Sequence, residues 1–215
     1  MKNIAVILSG CGVFDGAEIH EATLTLLAIA KHNCKYICFA PDMNQHHVIN
    51  HINGDEVKQT RNVLEESARI ARGDIYPTST LQIDDFDALI LPGGFGAAKN
   101  LSDFAFNGEN CVVNSEIAEI IKQFHSKQKP IGAMCISPVI LANVLRNVNV
   151  SIGSDKATSE AIEIMGAIHT SSNHGEVIVD ADNKIVTTPC YMLDASIIDI
   201  ETGTNKLVTE LLKMI

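Results

Sequence analysis

No stretch of this 215-residue chain holds the roughly 20 consecutive apolar residues that a membrane-spanning helix requires. Positive charge is also scarce: 16 Lys and Arg stand against 26 Asp and Glu, for a formal net charge of −10. Such a surface repels phosphates and anionic lipid, so neither nucleic acid nor membrane is an expected partner. A cysteine framework is missing too. Cys11, Cys34, Cys38, Cys111, Cys135 and Cys190 are too dilute to staple a chain of this size, and none of their spacings is a zinc pair. They read as reduced thiols in a cytoplasm-like compartment. Lys2, the run Ile4 to Leu8 and the tetrad Leu8-Ser9-Gly10-Cys11 imitate a lipoprotein processing site. That run is shorter than the roughly 7 to 15 residues of a secretory apolar region, so a buried first strand is expected instead. Internal repeats and low-complexity segments are absent.

What the chain does have is ordinary globular composition, with 46% hydrophobic and 20% charged residues. This is enough apolar material for one core, and 1–215 reads as a single domain. Short apolar runs, at Ile4 to Leu8, Tyr36 to Ala40, Ala88 to Leu91 and Ile131 to Met134, end in Gly or Pro or in a turn. They alternate with segments of helical period, the pattern of a parallel sheet covered by helices. Ala22 to Lys31 is one such helix. Ile117, Ile120, Ile121 and Phe124 mark another behind a cap at Asn114. Ile136 to Leu145 reads as a buried helix, Val177 to Val179 and Ile185 to Thr188 as a hairpin, and Asn205 to Ile215 as the closing helix. The polar stretch Asn44 to Thr60 reads as a surface insertion. Its His47 and His51 would share a face, and so offer a metal site, only if it were helical.

The strongest chemical signal is Pro130-Ile131-Gly132-Ala133-Met134-Cys135-Ile136-Ser137-Pro138, in which a strand runs straight into a helix with cysteine at the junction. A nucleophile on such an elbow stands above the sheet edge, with the helix amides and positive dipole end beneath it. Those amides lower a thiol pKa. A second strand ends in Leu91-Pro92-Gly93-Gly94-Phe95-Gly96, and the carboxyl ends of parallel strands are where ligands collect. The amides of Gly94 and Ile136 are therefore candidate oxyanion donors. Gly10-Cys11-Gly12-Val13-Phe14-Asp15-Gly16 imitates a dinucleotide fingerprint, but the acidic ribose partner is missing around Tyr36, so no dinucleotide is expected. Glu18 and Glu21 lie three residues apart after that loop. Either is a candidate proton acceptor for Cys135, and either is equally an N-terminal helix carboxylate.

The segment ALILPGGFGAAKNL (Ala88 to Leu101), the elbow Ala133 to Pro138 and the opening GCGVFDGAEIHEATL together resemble the ThiJ/PfpI superfamily of glutamine-amidotransferase-like domains. Within it, GAEIHEA, the FAPD of Phe39 to Asp42, TRNVLEESARIARG and DNKIVTTPCYML are similar to the ElbB-like subfamily, named for enhancing lycopene biosynthesis. The resemblance implies an α/β, flavodoxin-like three-layer sandwich, usually a homodimer, with the elbow cysteine as nucleophile. It also implies an acid on the first helix in contact with the thiol, and counting back from the turn at Asn33 favours Glu21 over Glu18. The activity implied is a cofactor-free glyoxalase reaction, glyoxal to glycolate, on a small carbonyl substrate. Two departures matter. Ile136 replaces the histidine that follows the cysteine in PfpI-type peptidases, and Ser154 to Ser159 has no histidine where relatives carry one, near Asp155. His174-Gly175-Glu176 imitates the late His-x-Glu of amidotransferases, but it lies too soon after Cys135. The rival to catalysis is a redox or carbonyl-stress sensor using the same oxidisable thiol. A third reading, an accessory to isoprenoid metabolism, has no residue-level support.

Overall fold

Period-two alternation in the short apolar runs sends successive side chains to opposite faces of one sheet. The computed structural model describes Met1–Ile215. In chain order the elements are β1 (Asn3–Ile7), α1 (Ile19–Lys31), β2 (Lys35–Ala40), α2 (Val63–Ile70), β3 (Ile75–Pro77), β4 (Ala88–Leu91), α3 (Phe95–Lys99), α4 (Phe104–Asn107), α5 (Ser115–Ser126), β5 (Ile131–Met134), α6 (Pro138–Leu145), β6 (Asn149–Val150), α7 (Lys156–Ile164), β7 (Ile168–His169), β8 (Ile178–Asp180), β9 (Ile185–Thr188) and α8 (Ile197–Leu212). The main sheet has the order β3-β2-β1-β4-β5-β9-β8, and only β8 runs antiparallel to its neighbour. β6 and β7 form a small separate sheet. This is the flavodoxin-like sandwich.

The sheet's two faces carry two cores. Ala5, Ile7, Leu89, Leu91, Ile131 and Ala133 pack with Ile117, Ile121 and Phe124 of α5 and Val139 and Leu141 of α6. Ile4, Val6, Leu8, Ile90 and Met134 pack on the other side with Ala22 and Ile29 of α1 and Leu207, Val208 and Leu211 of α8. The Val, Leu, Ile, Phe and Met side chains among these each contribute about 1.5–3 kcal/mol on burial, and together they hold the strand ends in fixed relation. Asn114 caps α5, accepting from the amides of Glu116 and Ile117, as its position before the apolar stripe predicts. The late hairpin is β8 and β9.

One expectation differs from the structure. The closing helix begins at Ile197, not Asn205, because a Ser196/Asp199 capping box starts it and small residues, Gly203 and Thr204, extend its buried stripe. Asn44 to Thr60 is irregular, pinned by isolated bridges at Asn44–Asn62 and Ile49–Glu56. His47 and His51 therefore share no helix face: His47 packs with His46 and Phe106, and His51 stands 3.8 Å from Asp15. No helix is long and apolar enough to cross a membrane.

Candidate active site

The strand order reverses between β1 and β4: the chain leaves β1 for β2 on one side and returns to β4 on the other. Such switch points open a crevice at the carboxyl ends of the strands. The glycine loops after β1 and β4 and the elbow after β5 all face it.

Cys135 follows the last residue of β5 and has φ +57, a left-handed conformation that costs a non-glycine residue about 1–3 kcal/mol. Several bonds hold it there. Its amide donates to the Thr188 carbonyl (3.0 Å), the Ser137 amide donates to Met134 (3.0 Å), and the Ser137 hydroxyl donates to the Pro92 carbonyl (2.7 Å). The last of these ties the elbow to the β4 loop. Pro138 opens α6, where no intrahelical amide partner is lost. The amides of Gly94 and Ile136 both point at the sulfur.

The glutamates separate cleanly. Glu18 is the N-cap of α1, and its Oε2 accepts from the Glu21 amide (2.7 Å). Glu21, wholly buried, turns toward the thiol, and the two groups flank Gly93. Its Oε2 accepts from the Gly93 amide (3.0 Å) and its Oε1 from the Tyr191 amide (3.2 Å). Gly93 is where carboxyl, sulfur and backbone converge. A Cβ there would lie 2.5 Å from Glu21 Oε2 and 2.9 Å from Cys135 Sγ. Gly94 needs its φ of +98 and has the Gly16 carbonyl where a side chain would go.

Electrostatically the pair differs from what the elbow alone suggests. Burial, then the neighbouring Glu18 charge, pushes Glu21 from 4.5 up to about 8. Burial, then the Glu21 carboxylate, pushes Cys135 well above 9, against the opposing pull of the Gly94 and Ile136 amides. The expected depressed thiol is thus corrected. The elbow is closed over by its neighbours, and a low-dielectric pocket opposes two negative charges side by side. The pair carries at most one, and it titrates as a unit.

Other residues join the site without having been singled out for it. Tyr191 lines the cavity, and its hydroxyl lies 2.8 Å from Nδ1 of His20. Cys190, buried and at φ +43, sits within electrostatic reach of Glu21 and Cys135. Pro189 after a short β-branched strand was the available signal for a second turn at the sheet edge. Asp155, noted in the sequence only for not being histidine, stands with Thr158 at the cavity wall. Asp15 is buried, accepts from the Ile49 amide (2.7 Å), and so ties the insertion to the first glycine loop. His174 and Glu176 are exposed and away from the cavity, with Gly175 against Thr202 of α8. The cavity above Cys135 measures about 410 Å³ and is walled mainly by apolar side chains.

Comparison with known proteins places this arrangement. The chain is 45% identical over 221 residues to the human glutamine amidotransferase-like class 1 domain-containing protein 3, mitochondrial, covering 98% of this chain and 82% of the human one. It superposes with TM-score 0.92 on the crystal structure of an isoprenoid biosynthesis protein with amidotransferase-like domain from Ehrlichia chaffeensis, at 36% identity and covering 99% and 100% of the two chains. A glyoxalase III from Candida albicans shares the fold, with TM-score 0.65, 13% identity and 99% and 97% coverage. The expected cytoplasmic setting is overturned, since the human relative and the rat and zebrafish ES1 relatives all carry mitochondrial names. Free thiols point to a reducing environment and do not distinguish one such compartment from another. The DJ-1/PfpI family pattern matches residues 12–191, which hold the glycine loops, Glu21 and Cys135, and the chain belongs to the DJ-1/PfpI family.

Proposed function

We propose that this chain is a cofactor-free glyoxalase-type enzyme that converts glyoxal or a related small dicarbonyl into a 2-hydroxy acid. The observation that carries the reading is the buried Glu21 carboxyl, held by two backbone amides, beside the Cys135 thiol at Gly93. Glu21 in its carboxylate form accepts the thiol proton as sulfur adds to one aldehyde carbon. The new alkoxide rests against the amides of Gly94 and Ile136. Glu21 hands that proton to the alkoxide, giving the thiohemiacetal, and, a carboxylate again, moves a proton from the thiohemiacetal carbon to its neighbour through an enediol. The first carbon leaves oxidised as a thioester, the second reduced to an alcohol. Water hydrolyses the thioester, restores the thiol and releases the hydroxy acid, so glyoxal plus water balances glycolate.

A carboxyl with a pKa near 8 suits proton transfer at neutral pH, whereas a sensor cysteine needs an exposed, low-pKa thiolate. Burial of Cys135 therefore favours turnover over stoichiometric oxidation. The ElbB-like subfamily belongs to the same proposal, supported by the Ehrlichia isoprenoid biosynthesis protein at 36% identity. Steady-state assay of wild type and Cys135→Ala with glyoxal tests the reading. Many glycolates formed per chain, abolished by the substitution, is the expected result; consumption of one equivalent followed by arrest would reject it.

A further inference from the structure

The cavity is much larger than glyoxal requires. At about 410 Å³ it falls among pockets that enclose drug-sized ligands, roughly 300 to 1,000 Å³, and a molecule of two carbons and two oxygens would leave most of it to water. Its floor is the reacting group: Cys135, Ile136 and Gly94. The apolar walls come from four separate places in the chain, namely Val13 after β1, Phe95 and Ala98 of α3, Phe104 and Ala105 of α4, and Met192 after β9. Of these, Phe95 is 47% exposed, an aromatic face turned outward with no partner inside the protein's own core.

Charge is distributed just as unevenly. Asp155 is the one charged side chain lining the cavity, at its exposed mouth. It is kept ionised by the Thr158 amide (2.8 Å) and hydroxyl. Lys99, the cation of α3, donates instead to the Phe14 carbonyl (2.9 Å) and lies 5.0 Å from the centre of the Phe95 ring. An anionic ligand would surrender hydration to apolar walls and meet a carboxylate without a counter-cation. An uncharged aromatic group would bury against Phe95, Phe104 and Met192 and displace water at no electrostatic cost.

We propose that the site is built for an uncharged carbonyl compound bearing an apolar substituent of aryl size, and that it discriminates against both the bare dialdehyde and anionic carbonyls. This rests on the glyoxalase reading for the reaction, an aryl 2-oxoaldehyde plus water giving the aryl 2-hydroxy acid. The aldehyde carbon is oxidised and the ketone carbon reduced, as for glyoxal, with no outside oxidant.

Two measurements on the intact protein test the pocket separately from the chemistry. In the first, kcat/KM is compared for glyoxal, phenylglyoxal and 4-carboxyphenylglyoxal. Phenylglyoxal should exceed each of the others by about tenfold or more, the scale on which an apolar pocket discriminates. Asp155→Asn, which retains a capping side chain for α7, should narrow the penalty on the carboxylated substrate a few-fold, and Phe104→Ala should raise KM for phenylglyoxal more than for glyoxal. In the second, Cys135 alkylation by N-phenyl iodoacetamide, iodoacetamide and iodoacetate is followed by peptide mapping and normalised to free cysteine. The phenyl reagent should lead and iodoacetate should trail. Glyoxal turned over fastest, with no phenyl preference in alkylation, overturns the proposal and leaves the glyoxalase reading standing. Phenyl preference in alkylation without turnover of any dicarbonyl sustains the pocket and rejects the glyoxalase reading.

Discussion

Cys135 and Glu21 illustrate how two residues of known type acquire roles that neither has alone. A helix N-terminus lowers a thiol pKa, and the Gly94 and Ile136 amides do act that way on Cys135. Burial beside a carboxyl outweighs them, so a proton must leave the pair before sulfur attacks. The expected pH–rate profile therefore rises through the region of Glu21, about 8, with the apparent value belonging to the pair. A profile flat from pH 6 to 9 would remove Glu21 as base. Glu21→Gln should cut turnover by about 10²-fold or more. Glu18→Gln should do the opposite near neutrality: it keeps an oxygen for the Glu21 amide but removes the charge that raises Glu21, so the rise in rate moves to lower pH. Kinetics of both variants between pH 5.5 and 9 check the assignment, and a Glu18→Gln loss as large as that of Glu21→Gln would reverse it. Residue spacing left the two glutamates equivalent, since both lie near the start of α1. Only the path of the chain through Gly93 and Tyr191 selects one.

At the scale of elements, the site depends on how closely three strand ends approach. Gly93 is the tightest point, because the β4 loop passes between Glu21 and the elbow. Gly93→Ala forces a methyl into contact with both Cys135 and the Glu21 carboxyl. It should lose turnover by more than about 10²-fold while destabilising the fold by only about 1–3 kcal/mol, as other overpacked sites do. Circular dichroism with a parallel activity assay separates the two effects; unimpaired turnover would show that the convergence at Gly93 is dispensable. The elements bearing this site were legible in sequence wherever period and punctuation agreed. β4, β5 and the Asn114-capped α5 are examples. α8 starts earlier than its apolar period suggests because Gly203 and Thr204 look like interruptions, though both are buried and Gly203 lies against Thr188 of β9. The two-residue strands β6 and β7 carry no period to detect, and Asp155, the N-cap of α7 between them, reaches the cavity.

For the molecule as a whole, burying Glu21 couples the site to stability. Its folded pKa, about 8, lies above its ordinary 4.5, so the folded state binds the proton more tightly than the unfolded chain does. The stabilisation this provides is complete below pH 4.5 and is lost as pH rises to 8, an effect on the order of a few kcal/mol. Cys135, raised well above 9, extends the loss into still more alkaline solution. Urea denaturation at pH 5, 6, 7 and 8 should show wild-type stability falling with pH, and Glu21→Gln, which cannot ionise, should flatten that slope. Parallel slopes for the two proteins would mean that Glu21 is not the buried acid described here.

The linear chain by itself determined the parallel α/β class, the two-sided core, the elbow cysteine and the glycine loops. These follow from local period, from Gly and Pro at strand ends, and from residue types whose backbone demands are intrinsic. The tertiary structure alone decided that the thiol is raised and not lowered, and that Tyr191, Cys190 and Asp155 share its surroundings. Those facts depend on burial and on distances between residues far apart in sequence, and neither desolvation nor a cavity wall exists until the strand ends have been brought together.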